Sequence, residues 1–516
     1  MDSQKKPVIG KFVIENLTTG MYSDARSVYR EYIQNSADAI DKAVEQGLIT
    51  QKEGEIHIEI NESAKEISFH DNGTGIPTDK VQDLLQNVAQ SEKEIGKDKG
   101  FRGIGRLGGL AYCDKLIFET SSFGEDTKSI MVWDARQLHD TLADRERKEA
   151  ADDLIMAVTS FQTVPEKRDE HYFKVTMSGV NNPELLSKLE IRDYLRFVAP
   201  VPFDSSFIFR SKIYEEMRND GVKIDEYNLF VNTEQIYKGY KTFLYKDNNG
   251  SPEKIGEVKD IVIFKEHTKD NKILFWGWYS ISNVQNLHLT KINKGRGLRL
   301  RKHNIQIGDE YRLERLFKDP RYNRYVLGEI YTFDPGLIPN GRRDDFEANA
   351  VYSQLQEKLK PVCVEIDRLC NRASDIHAAK RKVEAFYELK QVVDQKQKNG
   401  VTNREELGKL ETELRQKKEA AEKAEKTLNK FKEIAATNSE TPIAKIFKQT
   451  VKTDIPNVKE TKINVSLDKP VFRTDKLNKL DRSQRKLMSE VYAVIQSVLA
   501  PELAENLIKK IEEKFK

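Results

Sequence analysis

The sequence is poor in the features that mark secreted, fibrous and membrane-spanning proteins. Its 516 residues include three cysteines, none in a CxxC pair, so no disulfide framework is indicated and a reducing, cytoplasmic compartment is the simplest interpretation. Its 27 glycines and 15 prolines are ordinary numbers that exclude a collagen-like or low-complexity chain. The opening MDSQKKPVIG lacks the apolar stretch of a secretory signal, and no run of about 18 apolar residues predicts a transmembrane helix.

An excess of charge of either sign is also missing. The 86 lysines and arginines nearly balance the 83 aspartates and glutamates, and the net charge of +3 argues against a histone-like chain while allowing a local basic patch. Charged residues make up 33% of the chain and hydrophobic residues 38%, which leaves enough apolar side chains to build cores. The length predicts about three domains.

Residues 1–204 have the pattern of an α/β domain, because a helical stretch within residues 19–47 precedes alternating apolar strands. These strands are predicted at 55–60, 66–71, 115–122, 128–134 and 173–180, with a polar helical segment at 135–153. Residues 205–350 are richer in aromatic and β-branched runs and predict a second α/β domain. Its strands are predicted at 228–232, 260–267, 273–282 and 324–334.

Residues 351–436 predict a helix followed by an antiparallel helical-hairpin coiled coil, folded at the break KNGVTN (398–403). The second half carries a heptad seam, and such a seam needs a partner helix to bury it. The alternative, a long solvated single helix, would leave the seam exposed. The seam consists of Leu407, Leu410, Leu414, Ala421, Ala424, Leu428, Phe431 and Ala435.

The last part of the chain divides into a linker and a helical segment. Residues 437–480 lack long periodicity and are predicted to be the linker. Residues 481–516 predict helices with an apolar stripe, which indicates an oligomerisation or docking helix pair. The stripe consists of Leu487, Val491, Val494, Ile495, Val498 and Leu499.

The predicted helix at 27–43 carries the first chemical signal. Glu31, Asn35 and Asp38 are spaced i, i+4 and i+7, so they project from one helical face that is polar where an apolar face would be usual. A carboxylate and a carboxamide on one stripe can activate a water molecule and complete a Mg²⁺ shell. The alternative is an ordinary solvated helix face.

Two glycine-containing motifs follow this helix. In HDNGTGI (70–76), Asp71 ends a strand and can accept a hydrogen bond from an exocyclic amine, while Gly73 and Gly75 let the backbone approach a flat ligand. The alternative here is a plain Asp-Asn-Gly turn. In GFRGIGRLGG (100–109), glycines open a helix whose backbone amides predict a phosphate cradle. A dinucleotide fingerprint does not fit, since the motif does not follow the first strand of a βαβ unit.

The order of these motifs resembles the Bergerat ATP-binding fold of the GHKL superfamily, over roughly residues 10–200. The members include gyrase, heat-shock chaperones, histidine kinases and MutL. The resemblance implies an α+β fold class, with an α/β sandwich ATPase domain over residues 1–204 and a transducer or middle domain over residues 205–350. The string REYIQNSADAIDKA (30–43) most closely resembles the ninety-kilodalton heat-shock chaperones. The histidine kinases fit less well, because they need a phospho-acceptor helix upstream.

The resemblance also implies roles for individual residues. Glu31 would be the general base that deprotonates the attacking water, and Asn35 would coordinate the Mg²⁺ that bridges the phosphates. Asp38 would lie beside the nucleotide. Asp71 would bind the adenine amino group, with Gly75 beneath the base.

Further ATP contacts are implied around the glycine motifs. Residues 77–100 would be the ATP lid, with Ser91 and Lys93 reaching phosphate. The alternative for Lys93 is an ordinary solvated lysine, since the lid also carries Lys97 and Lys99. Thr176 is a weak candidate for the threonine that many members place on a later strand. The remaining expected cofactor-binding residues are Gly73, Ile76, Gly100, Phe101, Arg102, Gly103, Ile104 and Gly105.

The second domain supports the chaperone branch. The segments RGLRLRKHNIQIGD (296–309) and YVLGEIYTFDPGLIPNGRRDDFE (325–347) resemble the chaperone middle domain. On that match Arg343 would be the catalytic cation that reaches the γ-phosphate, with Arg342 as the neighbouring alternative. A surface arginine pair beside Asp344 and Asp345 is the other interpretation.

The layout of ATPase, transducer and coiled coil also resembles the MORC family of ATP-gated DNA clamps. A basic run could then contact DNA phosphates. The alternative is a charged strand face that alternates with Leu298 and Leu300. The run consists of Lys291, Lys294, Arg296, Arg299, Arg301 and Lys302.

These expectations combine into a Mg²⁺-dependent ATPase that converts ATP to ADP and phosphate. The resemblance implies a cytoplasmic homodimer that acts as an ATP-gated clamp on a protein client, without a membrane partner. Two alternatives stay open. One is a MORC-like DNA clamp, in a role such as genome defence, and the other is a nucleotide-gated assembly scaffold.

Overall fold

The computed structural model describes residues 9–18, 24–88, 105–451, 457–461 and 471–515. The chain forms two compact units, residues 1–367 and residues 368–516. Among the helices of these described ranges, none has the length and apolar character needed to cross a bilayer. The described residues combine two β-sheets with many helices, which confirms the α+β fold class.

The strands in the described ranges are β1 Glu55–Asn61, β2 Glu66–Asp71, β3 Lys115–Ser121, β4 Thr127–Asp134, β5 Thr159–Pro165, β6 Tyr172–Ser178, β7 Asn228–Val231, β8 Glu234–Gln235, β9 Phe243–Asn248, β10 Ser251–His267, β11 Ile273–Ser282, β12 Gly297–Lys302, β13 Ile305–Ile307 and β14 Leu327–Thr332. The α-helices there are α1 Phe12–Thr18, α2 Ser27–Glu45, α3 Val81–Gln86, α4 Ala135–Ala143, α5 Ala151–Val158, α6 Pro183–Leu186, α7 Lys188–Val198, α8 Arg210–Asn219, α9 Ala350–Asn399, α10 Arg404–Thr437, α11 Pro442–Thr450, α12 Arg482–Val498 and α13 Pro501–Phe515.

The first sheet has eight strands in the order β5-β4-β3-β6-β2-β1-β7-β8. Alternate side chains of its strands are buried, as a period of two predicts for a sheet with one covered face. On β1 these are Ile56, Ile58 and Ile60, which join the core that also contains the apolar side of α2. The sheet therefore supports α2, the helix that carries the predicted Glu-Asn-Asp stripe.

The first sheet extends past the boundary predicted at residue 204. Strand β7 pairs in parallel with β1, from Glu55 with Asn228 to Ile58 with Val231, and β8 completes the edge. The run NLFVN was expected in the second domain, so this expectation was wrong. Parallel pairing between strands so distant in sequence has no local signal, because it depends on a long crossover.

The second sheet has six strands in the order β13-β12-β14-β11-β10-β9. Its core is aromatic, with Trp276 and Trp278 from β11 fully buried. Phe203, Phe207 and Tyr240 surround Trp278 with ring centroids 5.1–6.1 Å away. Aromatic side chains bury large areas and favour such tilted arrangements, which explains the aromatic runs of this part of the sequence.

Most of the basic run at 291–302 is buried, although Lys291 and Lys294 are exposed. All of β12 is buried, and Arg301 has no exposed surface. The buried charged groups have partners inside the protein, since Arg299 donates to Gln306 and Lys302 donates to the Asp334 carbonyl. Phosphate contacts need accessible cations, so the four buried cations of the run do not support the expected DNA contact. The alternative, a charged strand face, fits the position of β12 in the sheet, but that strand is buried.

Helices dominate the second unit. The heptad residues Leu407, Leu414 and Leu428 of α10 are buried, which a solvated single helix would not allow. Helix α9 runs without interruption to Asn399, and α10 begins at Arg404, so the break lies where KNGVTN predicts it. The segment predicted as a linker from residue 437 contains the helix α11, whose buried face includes Ile446 and Phe447.

The helices α12 and α13 expose the apolar stripe predicted for the end of the chain. Leu487 is 62% exposed, Val494 60% and Val498 73%, and on α13 Leu503 is 61% exposed. Residues 487, 491, 494 and 498 are separated by steps of four, three and four and therefore share one helical face. This line of exposed side chains is called the α12 stripe below.

We predict that Leu414→Ala lowers the free energy of unfolding of the helical unit by about 2–5 kcal/mol, because the truncation leaves a cavity in the buried seam. Chemical denaturation followed by circular dichroism measures this change. The neighbouring Glu413→Ala is the matched control, since Glu413 is exposed and its removal should change stability by less than about 0.5 kcal/mol. Equal effects of the two substitutions would show that the seam is not packed.

Candidate active site

Helix α2 presents its polar stripe at one end of the first sheet. Glu31 and Asp38 are buried and Asn35 is partly exposed, although all three are polar. The other side of the helix holds it in place, because the rings of Tyr29 and Tyr32 pack on Phe69 of β2 with centroids 5.1 and 4.7 Å away. Burial of carboxylates on a rigid helix is costly unless they have partners, so this stripe is a candidate for function.

The partner of Glu31 comes from the second domain. Arg343 lies with its Nε 2.7 Å from Glu31 Oε1, and both side chains are buried. Its backbone has a φ of +56°, a left-handed conformation that non-glycine residues rarely adopt. Beside it, Arg30 donates to the Arg342 carbonyl at 3.0 Å, while the Arg342 side chain is exposed. Of the two arginines considered from the sequence, the structure brings Arg343 to the candidate base.

The end of the second glycine motif lies against the same carboxylate. A Cβ atom on Gly105 would lie 2.3 Å from Glu31 Oε2, so any other residue here would displace the Glu31 carboxylate from its present position. Residues Gly105–Ala111 form a 3₁₀ helix. Tyr32 of α2 is hydrogen-bonded to the backbone of this 3₁₀ helix. The Tyr32 hydroxyl donates to the Arg106 carbonyl and accepts from the Gly109 amide, both at 3.1 Å.

Asp71 and its glycines form a second group at the end of β2. The Gly73 amide donates to Asp71 Oδ1 at 3.0 Å, which fixes the buried carboxylate. A Cβ on Gly73 would approach the Ala39 Cβ to 2.5 Å, and one on Gly75 would overlap the Ser121 carbonyl oxygen. Gly75 also has a φ of +64°. The two glycines therefore allow this loop to pass close to α2 and β3.

Two residues that sequence reasoning missed hold this loop. The Thr120 hydroxyl accepts from the amide of Ile76 at 2.8 Å and donates to the Tyr172 carbonyl at 2.9 Å. His171 lies with Nδ1 2.7 Å from the Gly73 carbonyl, which makes Nδ1 the donor. No sequence signal marked Thr120, because it stands in an ordinary alternating strand.

Thr176, the weak candidate from the sequence, lies away from this group. On β6 the residue opposite Asp71 is Phe173, while Thr176 is opposite Ser68. Residues three positions apart on a strand point to opposite faces, so Thr176 and Asp71 lie on different sides of the sheet. The proposed threonine contact was therefore wrong.

Several expected phosphate contacts lie outside the described residues. They are Ser91, Lys93, Gly100, Phe101, Arg102, Gly103 and Ile104. Within the described part, burial lowers the pKa of Arg106 to about 10, which still leaves this guanidinium charged at neutral pH. It adds a cation to the side of the site where the glycine motif ends.

The residues present fit a nucleotide and its metal. The glycines at 73, 75 and 105 let the two glycine motifs lie close to α2 and β3, and the buried Asp71 carboxylate can accept from an amine. Mg²⁺ bound to a nucleotide keeps phosphate and water oxygens and needs only one or two protein ligands, so the Asn35 carboxamide suffices. The site can therefore hold a purine at one end and phosphates near Glu31.

Comparison with known proteins identifies the class of this domain. Residues 22–162 match the family described as histidine kinase-, DNA gyrase B- and HSP90-like ATPases. The first domain is thus an ATP-binding domain of the GHKL type, and the resemblance derived from the motifs is confirmed.

The curated relatives are heat-shock chaperones. The chaperone protein HtpG of Psychrobacter cryohalolentis is 30% identical over 135 residues, which cover 23% of this chain and 20% of the relative. HtpG of Actinobacillus pleuropneumoniae is 27% identical over 164 residues, covering 28% and 26%. The chain thus matches about a fifth to a quarter of the length of these relatives, and within that part it resembles these chaperones.

We predict that Gly75→Ala weakens ATP binding by about a hundredfold or more, because the new Cβ meets a backbone carbonyl that cannot move aside. Equilibrium titration with a fluorescent ATP analogue measures this. Gly124→Ala is a matched control: Gly124 also has positive φ, at +92°, but a Cβ there meets nothing within 4 Å. It carries the backbone strain without the overlap. A similar loss in both variants would contradict the steric argument.

Proposed function

We propose that the chain is a Mg²⁺-dependent ATPase in which the second domain completes the active site of the first. The observation that carries this proposal is the 2.7 Å contact between Glu31 and Arg343. A general base and a cation for the transferred phosphate must act on the same few atoms, so both must reach one point in space. The resemblance to heat-shock chaperones supports the same assignment.

Glu31 is proposed to accept the proton of the attacking water, since it is the carboxylate nearest the glycine motif that would bind the phosphates. Arg343 is proposed to stabilise the charge that develops on the γ-phosphate, at a position next to the base. Asp71, held by Gly73, would accept from the adenine amino group. Asn35 would hold Mg²⁺, which when bound neutralises phosphate charge.

Nucleotide binding would release Arg343 from Glu31. In the structure the arginine contacts the carboxylate, and a triphosphate beside it offers a larger negative charge and more acceptor oxygens. Arg343 would then move to phosphate and leave Glu31 able to accept a proton. A bound nucleotide would thus stabilise the arrangement of the two domains in which Arg343 contacts phosphate. A ligand shifts a conformational equilibrium in this way, by binding one state better than the other.

We further propose a homodimeric clamp that acts on a protein client, with the α12 stripe as the contact between copies. The stripe has the heptad-like spacing that suits packing against another helix. Exposed apolar patches of this kind mark interaction sites in soluble proteins. The likeness to the chaperones supports a protein client, whereas the burial of β12, which holds half of the basic run, weakens the argument for DNA.

We predict that Arg343→Ala and Glu31→Ala lower ATP turnover by at least about a hundredfold while the affinity for nucleotide stays within about threefold, because both residues act on the transition state. Asp71→Asn should instead lose nucleotide binding. Steady-state phosphate release and equilibrium binding measure the two quantities separately.

Arg342→Ala is the matched control for Arg343→Ala, since it removes the same charge from the adjacent, exposed position. It should leave turnover within about twofold. Equal losses for Arg342 and Arg343 would contradict the assignment. Binding without any turnover in the unmodified chain would instead support the nucleotide-gated scaffold.

We predict that the double substitution Leu487→Glu and Val494→Glu converts the dimer to a monomer, because it places charges in an apolar contact. Sedimentation velocity over a concentration series measures the change. Lys486→Glu is the control: it places the same side chain at an exposed position of the same helix that is not three or four residues from any member of the stripe. A wild-type chain that is monomeric at all concentrations would refute the proposed contact.

A further inference from the structure

A fully buried charged cluster lies where the two domains of the first unit meet. The carboxylate of Glu329 on β14 accepts from Arg301 Nε at 2.5 Å and from Lys238 Nζ at 2.6 Å. None of these three side chains has exposed surface. The Tyr240 hydroxyl donates to the same carboxylate at 3.0 Å, and Tyr331 also donates to it. The cluster is called the joint cluster below.

The joint cluster links the second sheet to segments that lead to the first sheet. Arg301 is part of the second sheet, yet its Nη2 donates at 2.5 Å to the carbonyl of Phe197, which lies in α7. Its Nη1 donates at 2.7 Å to the Asn304 carbonyl, and the Asn304 amide group donates at 2.6 Å to the Asp225 carbonyl just before β7. The guanidinium therefore holds α7 directly, and the segment before β7 through Asn304, against the second sheet.

The antiparallel hairpin of β12 and β13 also holds the loop that contains Arg343. The amide of Gly308, the residue directly after β13, donates to the Arg343 carbonyl at 3.0 Å. The Gln306 amide group donates to the Gly308 carbonyl at 2.9 Å and its oxygen accepts from Arg299 at 2.9 Å. A short hydrogen-bonded path thus runs from the joint cluster to the backbone of Arg343.

The stability of the joint cluster depends on how its charged groups are arranged. Two cations share one carboxylate, and burial together with repulsion from Arg301 lowers the pKa of Lys238. Burial raises the pKa of Glu329, but Arg301 and Lys238 outweigh it and hold the pKa at about 2. A buried ion pair adds little net stability compared with apolar residues, but it requires one geometry in which every group is satisfied.

We propose that Arg301 is a positioning residue that sets the orientation of the two domains and thereby places Arg343 beside Glu31. This inference rests on the proposed role of Arg343 in hydrolysis and adds a determinant outside the nucleotide site. Among the described residues, the hydrogen-bond partners of the cluster do not belong to the candidate nucleotide site, so we expect the effect to pass through the β12–β13 hairpin and the Gly308–Arg343 hydrogen bond.

The test uses Arg301→Lys in the full chain. Lysine keeps the positive charge beside Glu329. Its single ammonium group lacks the planar fork of a guanidinium and cannot donate at the same time to the Glu329 carboxylate and to the carbonyls of Phe197 and Asn304. Turnover should fall by about ten- to a hundredfold, the scale on which a misplacement of about 1 Å acts, with nucleotide affinity within about threefold. Arg324→Lys, which alters the Arg324–Glu314 pair within the second domain, should leave turnover unchanged.

A second readout reports orientation without using activity. Spin labels at the exposed turns, on Ser63→Cys in the first sheet and Asn249→Cys in the second, give a distance distribution between the two domains. Arg301→Lys should broaden or shift this distribution, whereas Arg324→Lys should not. An unchanged distribution would overturn the inference and leave the proposed ATPase function untouched.

A double-mutant cycle with Arg343→Ala separates this inference from the proposed function. If Arg301 acts through Arg343, Arg301→Lys has no further effect on turnover once Arg343 is alanine. Fully additive losses would overturn the positioning role, whereas a normal rate for Arg343→Ala alone would overturn the proposed function. Should Arg301→Lys fail to fold, Gln306→Ala is the milder variant, since it removes the Arg299–Gln306–Gly308 connection and leaves the charges in place. It carries the same expected result and the same contradicting outcomes.

Discussion

Burial of charge is the constraint on which the arrangement of the first unit depends. A carboxylate taken out of water costs several kcal/mol unless a cation or hydrogen-bond donors meet it. Glu31 forms an ion pair with Arg343, and Glu329 forms one with Arg301. Arg301 also donates a hydrogen bond to the Phe197 carbonyl. The Glu31–Arg343 pair joins the two domains directly, whereas the Glu329–Arg301 pair lies within the second sheet and reaches α7 through the Phe197 carbonyl. The relative orientation of the two domains therefore decides whether these buried charges keep their partners.

The part of the site formed by neighbouring residues could be predicted from the sequence. The periodicity of α2 placed Glu31, Asn35 and Asp38 on one face, and the motif DNGTG placed Asp71 at a strand end. Local rules decide such features, because helical spacing and the conformational freedom of glycine act within a few residues. The strands at 55–60 and 66–71 followed from alternation in the same way and pair as expected.

Features that depend on distant pairing could not be predicted in this way. Strand β7 joins the first sheet although its sequence resembles the strands of the second. The arginines of β12 have the pattern of a solvated strand face, and only the complete fold reveals that Glu329 and main-chain carbonyls neutralise and bind them. Thr120 has no mark in the sequence because its partners, Ile76 and Tyr172, lie far along the chain. Each partner is supplied by tertiary structure, which composition and periodicity do not record.

A joint that contains buried charges as well as apolar contacts suits a protein that is proposed to change state. An apolar interface gains free energy in proportion to its area and has no preference that a small ion could reverse. A guanidinium, by contrast, responds to whichever anion is nearest and best arranged. Arg343 has a carboxylate partner in the structure, and a phosphate in the same place would compete for it directly. The charge that makes Glu31 costly to bury would then be what lets a nucleotide control the contact between the domains.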